Sequence, residues 1–197
     1  MPGPTTAHSH ASLSEPSAWV ERFAPLVAPG ARLLDLACGH GRHARFFAAR
    51  GANVLAVDRD AAALSGLAGI ARIETRVADL ESGPWPIAGE RFDAIVVANY
   101  LHRPLFPALL RALADDGVLL YETFARGNEA YGRPTNPDFL LERDELLRLV
   151  QGRLTVIAFE QGIASERGST AVVQRLAATG VGRPWPPDLP GAATERS

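Results

Sequence analysis

The sequence predicts an α/β fold: a doubly wound, mostly parallel seven-stranded sheet whose last strand runs antiparallel. From residue 32 onward, short apolar segments alternate with helical patterns, which is typical of buried parallel strands covered by helices on both faces. A tight glycine turn joins the first strand to its helix. The link 161–169 between the last two strands is too short for a crossover helix, so the seventh strand is expected to return antiparallel.

The elements follow one another in a regular order. A first helix is expected after a Ser14 cap, with Pro16 in its first turn and an apolar face formed by Trp19, Val20 and Phe23. Strands are predicted over Arg32–Leu36, 53–57, Ile73–Val77, Phe92–Ala98, 118–122, 154–159 and 170–177. Helices are predicted over 41–50, 60–68, 104–114 and 143–150, and Asp116-Gly117 is expected to turn into the fifth strand.

Length and composition predict one globular domain. The chain has 197 residues, of which 47% are hydrophobic and 21% charged, an ordinary soluble composition. Residues 15–178 are expected to form the domain, with a flexible tail over 1–14 and a Pro-rich tail over 179–197. No apolar run is long enough to span a membrane, and the N-terminus lacks the pattern of a secretory signal. A cytoplasmic protein is therefore expected.

The charged residues and the single cysteine exclude several kinds of chemistry. All 20 basic residues are arginines, so no lysine can form a Schiff base or serve a P-loop. The net charge of −2 disfavours nucleic acid as a partner without excluding it. Cys38 is the only cysteine, so neither an internal disulfide nor a cysteine metal cluster is possible. We expect Cys38 to fill a tight turn, and we expect no metal site.

Four polar or glycine-rich segments fall at the carboxyl ends of predicted strands. They are the turn 37–41, Asp58, Asp79 and the segment 99–103. In a doubly wound sheet, ligands bind beyond these ends, where the strand order switches. Gly39 and Gly41 let the backbone approach a ligand closely, and Asp58, 19 residues after Gly39, can accept hydrogen bonds from both ribose hydroxyls.

The glycine pattern by itself also fits NAD, because Gly39-His40-Gly41-Arg42-His43-Ala44 matches the dinucleotide fingerprint that ends in Ala. Three features favour S-adenosylmethionine. Asp35 would repel a pyrophosphate but can support the methionine ammonium, while Asp79 and the backbone N–H of Leu80 can hold an adenine. The chain also has little room for a domain that would hold the substrate of a hydride transfer.

On these residues the sequence resembles the class I S-adenosylmethionine-dependent methyltransferases, over about Ser17 to Ala177. The segment 35–41 is similar to their first motif, with Ala37 replacing its first glycine, as in small-molecule enzymes of the tellurite-resistance type. Asp58, Asp79-Leu80 and the segment 99–102 correspond to the later motifs. The resemblance implies that cofactor is bound by Asp35, Ala37, Cys38, Gly39, Gly41, Asp58, Arg59, Asp79, Leu80 and Asn99.

Methyl transfer needs chiefly an aligned acceptor, and a base only if the acceptor must lose a proton. Because histidine is the side chain suited to proton transfer at neutral pH, His102 is the leading candidate base, although it could equally just shape its loop. Tyr100 could orient the acceptor. The segment 99–103 lacks the Asn/Asp-Pro-Pro-Tyr/Phe signature of enzymes that methylate amino groups of nucleic-acid bases or glutamine, which argues against those acceptors.

Further substrate contacts are expected from the fifth strand and the polar loop after it. Glu122, Asn128 and Arg133 are the candidates, together with Asn136, and the loop 125–137 could be a lid or a self-packed surface loop. Trp19 and the first helix could close the other side of the pocket. His40 and His43 are expected near the cofactor or at the surface rather than on a metal.

These observations predict a methyltransferase that acts on a small molecule, as a monomer or homodimer without a membrane partner. A transferase acting on RNA or protein with the help of a partner is one alternative. A nucleotide- or NAD-binding module without transferase activity is the other.

Overall fold

A seven-stranded sheet organises the computed structural model, which describes residues 15–166 and 168–187. The strands are β1 (Arg32–Leu36), β2 (Asn53–Asp58), β3 (Ile73–Val77), β4 (Phe92–Ala98), β5 (Leu113–Phe124), β6 (Leu154–Glu166) and β7 (Ser169–Gly180). They lie in the order β3-β2-β1-β4-β5-β7-β6, and β7 pairs antiparallel with both its neighbours while the other pairs are parallel. The predicted fold class is therefore confirmed.

Alternation along the strands builds a hydrophobic core on each face of the sheet. In β1, Leu34 and Leu36 pack into one core cluster and Leu33 into the other, and none of the three is more than 1% exposed. Asp35 points to the same face as Leu33, because side chains two apart in a strand share a face. That face is covered by the first helices, including the buried Phe47. Asp35 is thus a carboxylate placed in a core position.

The helices are α1 (Ala18–Phe23), α2 (Arg42–Ala49), α3 (Ala61–Ser65), α4 (Phe106–Ala112) and α5 (Glu145–Val150). Ser17 caps α1 through a hydrogen bond from Val20 N; the expected cap Ser14 lies outside the described residues. The predicted helix over 60–68 is wrong in extent, because Asp60 caps a helix that ends at Ser65. None of the helices in the described ranges is long and apolar enough to cross a membrane.

The fifth strand begins earlier than predicted. Leu113 already pairs with Phe92, so the helix expected over 104–114 ends at Ala112, and its start is a separate 3-10 turn over Arg103–Leu105. The register then shifts to Ala94 opposite Val118. The residues 114–117 are left as a bulge inside the strand, where the sequence predicted a turn.

The last two strands, of 13 and 12 residues, are longer than the predicted segments 154–159 and 170–177. They form one hairpin in which Gly162 pairs with Val173 and Glu166 with Ser169, so only residues 167 and 168 separate them. The link expected over 161–169 is therefore largely strand. Antiparallel pairing needs only backbone groups, and for this reason the glycine and polar residues of the link did not end the strands. The longer hairpin extends past the rim where β1 to β4 end.

A side chain at Gly41 would be strained and would collide with a neighbouring residue. We therefore predict that Gly41→Ala lowers the free energy of unfolding by about 1–3 kcal/mol. Its φ is +72°, and an added Cβ would lie 2.4 Å from Cδ1 of Leu67, a fully buried side chain. Urea unfolding measures the loss. Gly132→Ala is the matched control, since no heavy atom lies within 4 Å of its added Cβ. Equal stability of the two variants would contradict the prediction.

Candidate functional site

The carboxyl ends of four parallel strands meet around one cleft of about 390 Å³. Ala37 follows β1, Asp58 ends β2, Asp79 follows β3 and Asn99 follows β4, and all four line the cleft. The switch in strand order lies between β1 and β4, where such clefts form. The other lining residues are Arg59, Ala78, Leu80, Glu81, Tyr100, Leu101, Thr123, Phe124, Pro134 and Phe139.

The turn after β1 is built from left-handed backbone conformations. Ala37, Gly39 and Gly41 have φ values of 54°, 54° and 72°. Space within 4 Å of a Cβ at Gly39 is open, so this glycine leaves room beside the cleft rather than fitting a neighbour. Cys38 is half-buried, its Sγ contacts the Gly39 carbonyl, and burial raises the pKa of its thiol. A neutral thiol in this turn fits the structural role that the sequence predicted.

Asp58 joins the end of β2 to this turn. Its Oδ2 accepts a hydrogen bond of 2.7 Å from Gly39 N, and its Oδ1 accepts one of 2.9 Å from Asp60 N. An ionised carboxylate offers about four acceptor positions, so acceptor capacity remains for a ligand in the cleft. The same side chain can therefore shape the turn and hold ribose hydroxyls.

Asp35 is a buried acid behind the turn. Only 1% of it is exposed, and its Oδ2 has no hydrogen-bond partner. Burial raises the pKa of Asp35 to about 7, and a hydrogen bond from the Ala44 backbone and the charge of Arg42 partly oppose this rise. A buried acid with a free oxygen is costly unless a ligand compensates it, and a nearby cation would do so.

The segments after β2 and β3 form the opposite wall. Asp79 is exposed, and its carboxylate accepts hydrogen bonds from Glu81 N and Ser82 Oγ, which hold its pKa below the usual range. Leu80 is 9% exposed and belongs to the core, so its backbone is fixed beside the cleft. Arg59 is exposed at the rim.

The two candidate catalytic residues occupy different positions. Tyr100 lines the cleft, its buried hydroxyl has no hydrogen-bond partner, and burial raises the pKa of the phenol. His102 is half-buried, precedes the turn over Arg103–Leu105, and is not among the residues that line the cleft. Of the two, only Tyr100 contacts the space that a ligand would fill.

Two apolar residues, one in the loop 125–137 and one in the turn after it, line the cleft. Neither was predicted as a site residue from the sequence. Pro134 and the half-exposed Phe139 line the wall. Asn128 is instead buried at 1% exposure, where Oδ1 accepts from Val172 N and Nδ2 donates to the Pro134 carbonyl. Its amide thus joins the loop to β7. Arg133 is exposed next to Pro134, and Asn136 caps the turn over Pro137–Phe139.

A second cavity of about 200 Å³ adjoins the cleft and shares Asn99, Thr123 and Phe124 with it. Glu122 lines this second cavity and not the first. Its other charged residues, Arg42, Glu166 and Arg175, are not among the site residues predicted from the sequence. Arg42 directly follows the glycine turn, and this position could have marked it. Glu166 lies in the segment predicted as a link, and Arg175 lies in a predicted strand without a functional signal. Its remaining residues are Ser17, Ala18, Ala164, Ser169, Ala171 and Val173.

The first helix closes the second cavity with its N-terminus and not with its tryptophan. Ser17 and Ala18 line the cavity, whereas Trp19 is 2% exposed in the core and donates from Nε1 to the Leu176 carbonyl. The expectation for Trp19 is therefore wrong. His43 is also buried: its Nε2 accepts from Ser17 N, and burial lowers its pKa to about 3. His40 is exposed.

Comparisons with known proteins agree with this geometry. Residues 33–117 match a family model described as a methyltransferase domain, a segment that contains Asp35, Asp58, Asp79 and Asn99. No curated protein sequence matches the chain at a significant level.

Solved structures share the fold at low identity. TehB from Haemophilus influenzae is 17% identical with a TM-score of 0.67; the match covers 89% of this chain but 63% of that one, less than two thirds of its length. A SAM-dependent methyltransferase from Methanosarcina mazei is 15% identical with a TM-score of 0.65, covering 84% of this chain and 98% of that one. A TehB-like SAM-dependent methyltransferase from Corynebacterium glutamicum is 20% identical with a TM-score of 0.63, covering 86% and 91%. Residues 33–117 therefore match a methyltransferase domain, and the chain shares the fold of these SAM-dependent methyltransferases.

Proposed function

We propose that this enzyme transfers the methyl group of S-adenosylmethionine to a small molecule in the cytoplasm. The observation that carries the proposal is the second cavity, which adjoins the cleft and has a volume of only about 200 Å³. The chain itself supplies its walls, from α1, β5 and the β6–β7 hairpin. A space of this size suits a small acceptor, and the net charge of −2 gives no general attraction for nucleic acid.

We propose one direction for the cofactor in the cleft. We place the adenine against Asp79 and Leu80, the ribose hydroxyls on Asp58, and the methionine part along the turn of Ala37, Cys38, Gly39 and Gly41. Asp35 would then face the ammonium, Asn99 the methionine part and Arg59 the rim beside the ribose. The free Oδ2 of Asp35 supports this direction, because the buried acid gains a cationic partner.

The cofactor supplies an activated methyl group, and the protein residues orient the acceptor and exclude water. Tyr100 lines the cleft and not the second cavity, and its buried hydroxyl has no partner. We propose that it orients the part of the acceptor that reaches from the second cavity into the cleft. His102 would act as a base only for an acceptor that extends beyond Leu101. Of the three substrate residues predicted from the sequence, Glu122 lines the second cavity. Asn128 would act by holding the shape of the loop, and Arg133 by its position on the loop surface.

A transfer assay distinguishes a small acceptor from a macromolecule. Full-length protein is incubated with methyl-labelled S-adenosylmethionine and three fractions of a cell extract: small molecules, RNA and protein. We expect label in the small-molecule fraction only, and none with Asp58→Ala. Label confined to RNA or protein would overturn the proposed acceptor class.

Asp58→Ala is expected to weaken S-adenosylmethionine binding at least 100-fold. The change removes the hydrogen bonds that two ribose hydroxyls would donate to a charged carboxylate, worth about 1.5–3 kcal/mol each, and it also removes the acceptor of Gly39 N. Isothermal titration measures the affinity. Asp60→Ala is the control, because Asp60 caps α3 and does not line the cleft; it should cost about 1 kcal/mol of stability and leave the affinity unchanged. Unchanged binding by Asp58→Ala would refute the ribose role.

Binding of S-adenosylmethionine is expected to depend on pH through Asp35. The free protein holds this carboxyl at a pKa of about 7, and the cofactor ammonium favours its ionised form. Binding therefore lowers the pKa, and affinity should rise up to about tenfold per pH unit from pH 5 to 7 and then level off. Asp35→Asn should bind more weakly at pH 8 and lose this pH dependence. A wild-type affinity that is flat across the range would disprove the contact.

A further inference from the structure

The second cavity contains charged side chains that the protein itself leaves incompletely satisfied. The Glu122 side chain is 8% exposed and that of Arg175 is 11% exposed. Arg175 Nε lies 3.3 Å from Glu122 Oε2, yet it makes no aligned hydrogen bond. Arg175 Nε is thus the atom of this ion pair that lacks a hydrogen-bond partner among the described residues, while the Glu122 carboxylate lines the cavity beside it. Buried charges of this kind are expensive without a further partner, so the arrangement points to a ligand.

The charge balance shows which kind of ligand the cavity suits. Arg175 already faces three acids: Glu122 at 3.3 Å, Glu166 at 2.7 Å and Glu160 at 3.9 Å. Its positive charge is therefore offset, and an anion placed beside it would meet three carboxylates. Three carboxylates around one guanidinium leave a net negative charge, which favours a cation or a hydrogen-bond donor next to the Glu122 carboxylate.

Arg42 does not reverse this preference. It is the other cation that lines the cavity, and it sits in the first turn of α2 next to the glycine turn. Its charge lowers the pKa of Asp35, so Arg42 lies on the side of the cavity nearest the methionine part of the cofactor. In that position the Arg42 guanidinium can pair with the carboxylate of the cofactor. Glu122 then remains as the charged side chain that faces an acceptor.

We propose that the methyl acceptor is a small primary amine and that Glu122 binds its nitrogen and removes its proton. This inference rests on the proposed function. The bound ammonium gives one proton to the Glu122 carboxylate. The freed lone pair forms the nitrogen–carbon bond to the methyl group while the carbon–sulfur bond breaks and its electron pair stays on sulfur. The products are a secondary ammonium and S-adenosylhomocysteine, and Glu122 returns its proton to water.

The test measures turnover and binding of matched small molecules by the full-length protein. The amine probes are benzylamine, phenethylamine and ethanolamine, and the acid probes are benzoate and phenylacetate. Product is followed as S-adenosylhomocysteine. We expect turnover of at least one amine and of neither acid. Glu122→Gln should lower kcat for that amine at least 100-fold, which is the loss of rate expected when a general base is removed. The affinity for S-adenosylhomocysteine should not change. Glu122→Asp should recover part of the loss.

Glu160→Gln is the matched control, because Glu160 also neighbours Arg175 but does not line the cavity. It should keep wild-type amine turnover, which separates proton transfer from a general disturbance of Arg175. Preference for an acid probe, no amine turnover, or full amine turnover by Glu122→Gln would each overturn the inference. Failure of the proposed function looks different: the wild-type protein would transfer label only to RNA or protein.

Discussion

The hydrogen bond from Gly39 N to Asp58 Oδ2, 2.7 Å long, fixes the relation between the two strand ends on which the rest of the site depends. β1 and β2 pair in parallel, with Leu36 beside Val57, so the turn after β1 begins next to Asp58. The carboxylate then draws in a turn whose backbone is left-handed at three positions. A second hydrogen bond, 3.1 Å from Cys38 N to the Val57 carbonyl, ties the same turn to β2 from the adjacent residue. The cofactor cleft is thus shaped by the same acid that is proposed to hold the ribose.

Incompletely satisfied polar groups collect around the two cavities. Among the described residues, three buried side-chain atoms have no hydrogen-bond partner: Asp35 Oδ2, the Tyr100 hydroxyl and Arg175 Nε. Tyr100 lines the cleft, Arg175 lines the second cavity, and Asp35 lies directly before the turn that forms the cleft wall. Such atoms are rare in folded proteins because each one costs free energy. Their clustering at one end of the sheet indicates that this end is built for a ligand rather than for stability.

The proposed cofactor site and the proposed acceptor site are formed by different parts of the chain. The segment that matches the methyltransferase domain, residues 33–117, supplies Asp35, Asp58, Asp79 and Asn99. The second cavity is formed mainly by the N-terminus of α1, the end of β5 and the long β6–β7 hairpin, and of its lining residues only Arg42 and Asn99 lie in the matched segment. A shared fold therefore does not fix the acceptor, since most residues that would select it lie outside the matched segment.

The sequence by itself determined the sheet, its antiparallel strand and the set of strand ends that form the cleft, because strand patterns and glycine turns are local signals and parallel strands must end on one rim. It did not determine the length of the hairpin, the bulge before Val118, or the roles of Trp19 and Asn128 in packing. Only the tertiary structure decided that Glu122 meets Arg175 and Arg42 in a separate cavity. Those side chains come from segments far apart in the chain, and contacts of that kind follow from strand pairing and packing, which leave no local pattern in the sequence.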